Sequence, residues 1–396
     1  MKRNDFATVL AYVGMLAIAI VVGLAVLRPI ITTAPGDAFP INSIIVILLA
    51  VLVSAVLNAC LIGLGHFLGA KAGKYEVISV NILGFTMKRE NGKKKLKFSN
   101  FDGLTGEVKI RPKDVEKSSL SLYIMLPLLF LLIEVVAMVI VIAMASRKGR
   151  PIYWLEVSAI TVLTVAGMIF LYNIFPARLD SMNDGYLMML TSKRINKIAY
   201  NQLLLAENAE KKDEVEIPVY EEVTDFTYRL NSLAVYRALG EKDYAKAIKI
   251  LGYAISAEKG LSASLKSESY VMKLSLLFAM GKVTEANKSY EEISDADKRY
   301  IASLASMAAL RCYVLVSGLI DDSESETQYA LDKFDHAFKK SAANEKEIDK
   351  ALLTDAFNLV RTKHPGWDIQ LIMEESKKGK EEKKEEEPSE EETPKE

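Results

Sequence analysis

The sequence predicts a mainly α protein in two parts: a polytopic helical membrane domain with a small cytoplasmic β-layer, followed by a soluble α-helical repeat domain. Three observations carry this. Apolar residues are concentrated in the first 191 of 396 positions, in four runs long enough to cross about 30 Å of hydrocarbon at ~1.5 Å per residue. The insert between the second and third runs is basic and strand-like. From about residue 222 the pattern changes to amphipathic helices joined by glycine-containing turns.

The apolar runs cover roughly 8–27, 42–70, 119–145 and 153–175. A short basic head, Lys2-Arg3, precedes the first run, as it would precede a secretory signal. The run is longer than such signals and ends at Arg28-Pro29 without a small-residue cleavage pattern, so it reads as a retained span. Residues 1–41 are then a first transmembrane helix with a short external loop, and 42–200 the main membrane domain. Segment 71–118 contains twelve Lys and Arg, whereas 28–41 contains only Arg28. The excess of positive charge places 71–118 in the cytoplasm, together with the N-terminus and the C-terminal helical domain of a multi-pass cell-membrane protein. The three basic residues of "SRKGRP" (146–151) pull the other way and are outweighed.

Within the insert, 75–113 reads as strands. "YEVISVNILGF" is apolar and β-branched. "MKRENGKKKLKF" contains Asn91-Gly92, a two-residue hairpin signal, and a last strand ends at Pro112. After the fourth run Pro176 breaks the helix, and Asn183-Asp184-Gly185 opens a new apolar stretch.

Residues 222–373 read as a tetratricopeptide-like domain. One helix pair turns at Gly240, a second at Gly281, and a third runs through 302–320 and 325–342. Each pair would bury its apolar face against the next. The 41-residue spacing of the two glycines exceeds the usual tetratricopeptide period of about 34. Residues 374–396 hold six lysines and eleven glutamates among small or turn-forming residues, cannot bury a core and are expected to be disordered.

Composition excludes several functions. The net charge of −1 argues against a nucleic-acid partner. Cys60 and Cys312 lie in helices of different type and form neither a disulfide framework nor a cysteine zinc site. There is no Gly-rich nucleotide loop, and "GLIDDSESE" lacks the order of a calcium loop.

The stretch "NACLIGLGHFLGAKAGKYEVISVNILGF", residues 58–85, carries the functional question. A long apolar helix ends near Gly65-His66, strands with Gly84-Phe85 follow, then two spans, a proline break and Asp184-Gly185. This order resembles the site-2 protease family of intramembrane zinc metalloproteases, over about 45–191. In that family one helix supplies His-Glu-x-x-His, with two histidines on one face and the glutamate as general base, and an Asp-Gly motif supplies a third ligand. Carried onto this sequence, the second histidine falls on His66 and the aspartate on Asp184. The first histidine falls on Ile62 and the glutamate on Gly63. Isoleucine has no donor atom and glycine no side chain, whereas catalytic zinc needs three protein ligands and an open position. The resemblance therefore implies an inactive member with no cofactor. Zinc is expected only under an alternative reading, held by His66, Asp184 and Asp180.

Without a metal, His66 is expected to cap its helix on a carbonyl, or to form a hydrogen-bonded clasp with Asp184. Gly63, Gly65 and Gly69 read as close-packing positions. Asn58 and Glu134 are intramembrane polar residues expected to bond to a neighbouring helix or to contact a partner span. The functional expectation is an adaptor, scaffold or regulatory subunit. Its partners would be membrane lipid and a membrane or cytoplasmic protein. The alternatives are an active zinc protease with a divergent metal set, or a component of a peptide-handling or transport complex in which Glu134 lines a path.

Overall fold

The computed structural model describes residues 3–34, 39–90, 93–98, 107–146, 152–176, 182–209, 215–259, 261–342 and 345–373. The chain is mostly helical and divides into two compact units, 1–216 and 217–396.

In the first unit, four helical stretches are long and apolar enough to cross a membrane: Val9–Thr33, Asn42–Ala72, Leu120–Ala145 and Tyr153–Ile174. The first differs from expectation. Helix α1 (Arg3–Val22) does not stop at Arg28-Pro29 but passes through a π-helical turn, Gly23–Leu27, into α2 (Arg28–Thr33). The Arg28 N–H reaches back to the Gly23 carbonyl. The widened turn takes up the mismatch that Pro29, with no N–H to give, would otherwise impose. Helices α3 (Phe39–Ala72), α4 (Leu120–Ala145) and α5 (Tyr153–Ile174) pack on one another. Most of their large apolar side chains face outward, as in Leu48 and Leu52 of α3. That pattern suits lipid and is the reverse of a water-soluble helix.

A four-stranded antiparallel sheet joins α3 to α4. Its strands are β1 (Tyr75–Ile82), β2 (Phe85–Glu90), β3 (Lys93–Phe98) and β4 (Glu107–Pro112), in the order β3-β2-β1-β4. "YEVISVNILGF" is therefore not one strand. Leu83 and Gly84 both adopt positive φ (53° and 84°) and turn the chain so that Ile82 faces Phe85, the geometry of a two-residue primed turn. Asn91-Gly92 lies outside the described residues, yet Glu90 pairs with Lys93 on either side of it. By strand alternation the β2–β3 hairpin has Phe85, Met87, Leu96 and Phe98 on one face and Thr86, Lys88, Lys95 and Lys97 on the other. The Phe85, Leu96 and Phe98 side chains are exposed, with the two phenyl rings edge to face at 5.3 Å.

After α5 come α6 (Asp184–Thr191) and α7 (Arg194–Asn208). Helix α7 packs against β4. Its Asn201 accepts the Tyr75 hydroxyl at 2.7 Å and donates to the Val115 carbonyl, and Asn208 donates to the Ile110 carbonyl.

The second unit comprises α8 (Asp225–Gly240), α9 (Tyr244–Ser256), α10 (Ala263–Ala279), α11 (Val283–Glu291), α12 (Asp295–Ala302), α13 (Met307–Leu319), α14 (Glu324–Leu331), α15 (Phe334–Phe338) and α16 (Lys346–Lys363). The first two pairs turn where the glycines predict. The α8–α9 turn places Lys242, not Gly240, at φ 58°, whereas Gly281 itself holds φ 72° in the α10–α11 turn. In both, an N–H three residues beyond the helix bonds back into its last turn, Asp243 to Ala238 and Lys282 to Leu277. The third pair differs. The helix expected from 302 begins at Met307, capped by Ser306, and its partner is divided into α14 and α15. Helix α16, which the glycine spacing did not reveal, packs on α13. Arg311, Cys312 and Leu315 of α13 are buried, and this apolar helix forms part of the unit's core.

Candidate functional site

Three glycines and a proline bring α3 and α4 together. A Cβ at Gly65 would lie 2.5 Å from the Pro127 Cα, one at Gly69 2.6 Å from the Leu122 carbonyl oxygen, and one at Gly73 2.5 Å from the Ser119 carbonyl oxygen. The packing seam is thus a Gly-x-x-x-Gly-x-x-x-Gly run at 65, 69 and 73. Gly63 is buried, two residues off that spacing.

Pro127 lies inside α4 and has no N–H. The Tyr123 carbonyl, four residues earlier, therefore loses its helical donor. His66 supplies one: its Nδ1 lies 3.3 Å from the Tyr123 oxygen. A carbonyl only accepts, so the proton sits on Nδ1 and Nε2 presents a lone pair. That lone pair faces Asp184, with Nε2 and Oδ2 3.6 Å apart. The expected hydrogen-bonded clasp is therefore a close approach rather than a hydrogen bond. His66 caps a carbonyl as expected, but on the neighbouring helix, because α3 continues to Ala72. The Tyr123 ring packs 4.5 Å from the imidazole, and its hydroxyl donates to the Val108 carbonyl of β4.

Asp184 is held by its neighbours. Asn183 caps α6 by accepting the Tyr186 N–H at 2.8 Å, while its amide donates to the Tyr172 and Phe175 carbonyls at the end of α5. Gly185 lies against that same end, where a Cβ would be 2.3 Å from the Ile174 carbonyl oxygen. The Asn-Asp-Gly sequence thus docks α6 on the frayed carbonyls that Pro176 leaves, and aims Asp184 at His66. Burial pushes the Asp184 carboxyl up to about 7.

A metal-ligating histidine commonly gives its other N–H to a carbonyl and offers a bare nitrogen. His66 has that arrangement, with a carboxylate beside it. The rest of a catalytic zinc site is missing. Ile62 and Gly63 are buried one turn back along α3 with no donor and no carboxylate, and no group of three His, Cys, Asp or Glu among the described residues could hold an ion. Asp180 lies outside the described residues. The residues present do not fit catalytic zinc.

Asn58 and Glu134 form a separate level of the same interface. Asn58 Nδ2 donates to the Ser54 carbonyl at 2.7 Å and reaches Glu134 Oε1 at 3.3 Å. Asn58 Oδ1 and Glu134 Oε2 are buried without partners. Eight residues separate Asn58 from His66, about 12 Å along the helix, so Glu134 does not join the His66–Asp184 pair.

Sequence reasoning passed over Tyr123, Pro127 and Gly73. A proline inside an apolar span was the available signal, since it frees a carbonyl four residues back. Compared with protein-family models, curated proteins and solved structures, the chain has no match.

Proposed function

We propose that this chain is a catalytically inactive relative of the site-2 proteases that works as a membrane adaptor, scaffold or regulatory subunit. The observation that carries the reading is the pairing of His66 Nε2 with Asp184 at 3.6 Å, set beside Ile62 and Gly63. Two residues stand as ligands would, while Ile62 and Gly63 stand where the third ligand and the general base would be and can do neither task. Losing a general base alone costs about 10²–10⁴ in rate.

Four helices long and apolar enough to cross a membrane support a multi-pass cell-membrane protein, and the basic insert favours a cytoplasmic N-terminus, sheet and C-terminal helical unit. In this reading the exposed Phe85 and Phe98 of the amphipathic β2–β3 hairpin are the side chains that meet the lipid interface. The available sheet edge is β3, since β4 is packed by α7. It is suited to pairing with an extended segment. The second unit acts as a tetratricopeptide-like repeat stack that recruits a protein partner.

The test is affinity purification of the full chain in mild detergent, with metal and co-purifying proteins both measured. We expect no stoichiometric zinc, and partners that are lost when 222–373 is deleted. About one zinc per chain, removed by Asp184→Ala, would overturn the reading in favour of a protease. Loss of function on Glu134→Gln with no dependence on 222–373 would instead favour a transport component.

A further inference from the structure

The second unit contains a cavity of about 220 Å³ between α8, α9, α10 and the start of α16. Val235, Ile250, Leu251, Ala254 and Met272 form its apolar walls. Two carboxylates, Glu268 and Glu345, also line it, and it has no basic lining residue. Glu268 has no hydrogen bond or ion pair among the described residues, and Glu345 accepts only a backbone hydrogen bond from Ala342. The buried cation nearby, Arg311, is committed elsewhere, 3.8 Å from Asp349. Burial raises Glu268 above the usual carboxylate range, and repulsion from Glu345 and Asp349 adds to it. Glu345 is raised likewise, by burial and then by Asp349.

Two half-buried acids facing one cavity, with Val235, Leu251 and Met272 on its walls, are costly for a fold to keep unless something compensates them. A metal ion is a poor candidate, because no three acidic or His/Cys groups among the described residues converge. The chain's own tail is a poor candidate too: with six lysines against eleven glutamates, its net charge has the same sign as the site. What fits is a cation on an aliphatic stem. We propose that this cavity receives a lysine or arginine side chain of a partner polypeptide, its methylenes against Val235, Leu251 and Met272 and its charge between Glu268 and Glu345. The inference deepens the adaptor reading and rests on it for the role of the second unit.

The experiment uses the full chain in detergent and a fluorescein-labelled, end-blocked alanine–serine nonapeptide with one central lysine. The same peptide with norleucine or glutamate at the centre serves as control, and binding is read by fluorescence polarisation. The lysine peptide should bind at least about tenfold more tightly than either control, as expected for a desolvated charge pair. Joint Glu268→Gln and Glu345→Gln substitution, nearly isosteric, should erase that margin. Ser232→Phe, which crowds the cavity from α8 and leaves both acids in place, should weaken the lysine peptide as well. Equal binding of lysine and norleucine peptides, or no lysine-peptide binding, overturns the proposal. If partners depend on 222–373 but survive the double substitution, the adaptor reading stands and the cation pocket falls. If wild-type chain captures nothing through 222–373 yet binds lysine peptide selectively, the adaptor reading falls and the pocket remains.

Discussion

Each unit buries one acid beside one base, and the two pairs are built to different ends. In the helical unit, Asp349 lies 3.8 Å from Arg311 and also accepts from Ser341 Oγ at 2.7 Å and from the Tyr236 hydroxyl at 3.4 Å. In the membrane unit, Asp184 accepts no hydrogen bond among the described residues, and His66 spends its one N–H on the Tyr123 carbonyl. The first carboxylate is satisfied on several sides and serves the fold. The second faces a nitrogen lone pair at 3.6 Å and has no hydrogen bond among the described residues. The first unit sets a bare imidazole nitrogen beside a carboxylate, one turn from Ile62 and Gly63, which supply neither a ligand nor a base.

The sharpest way to break this comparison is to remove each acid in turn. Asp349→Ala leaves the Arg311 guanidinium buried, with its two terminal nitrogens already lacking hydrogen bonds. Removing one member of a buried ion pair typically costs about 3–5 kcal/mol, so the second unit should lose most of its stability in a denaturant titration. Asp184→Ala should cost less than about 1 kcal/mol, because a carboxylate without a hydrogen-bonded partner contributes little when removed. Similar losses for the two variants would show that the pairs are of one kind, and that Asp184 is simply structural.

The seam that holds His66 in place gives the next largest effect. At Gly65 the obstacle to a Cβ is the Pro127 backbone itself, 2.5 Å away, which cannot rotate aside. Gly65→Ala should therefore push α3 from α4 and lower stability by about 1–3 kcal/mol, the usual cost of overpacking. Gly167, in α5, has nothing within 4 Å of its would-be Cβ, and Gly167→Ala should be neutral or slightly stabilising in thermal unfolding in detergent. Equal tolerance at both positions would remove the close seam.

These residues also show what could be read in advance. Hydropathy and length picked out the four helices long and apolar enough to cross a membrane, because lipid imposes both on a crossing helix. The Asn183-Asp184-Gly185 docking was legible from Pro176, since a proline break leaves carbonyls that need donors. The Leu83-Gly84 turn was not, because leucine at positive φ is a rare choice and the apolar run passed through it unchanged. Nor was the end of the first span: Pro29 is a good stop signal, and only the π-helical turn before it explains why the helix continues. Helices α12 and α16 lacked the glycine turns that marked the other pairs. The Glu268 and Glu345 cavity joins residues 77 positions apart, and no local pattern connects them.

The smallest effect tests the link between Pro127 and His66, on which the placement of the imidazole rests. His66→Ala leaves the Tyr123 carbonyl buried without a donor, a loss of about 1–3 kcal/mol. Pro127→Ala restores a backbone N–H that can return to that carbonyl, so in its presence His66→Ala should cost less. The double-mutant cycle should give a coupling of about 1 kcal/mol between the two sites. His66→Gln, which keeps a donor near the same position, should fall between wild type and alanine. If the two substitutions are additive, the histidine is not there to serve the carbonyl. Its orientation toward Asp184 would then need another cause, and the contrast between the two acid–base pairs would lose its structural basis.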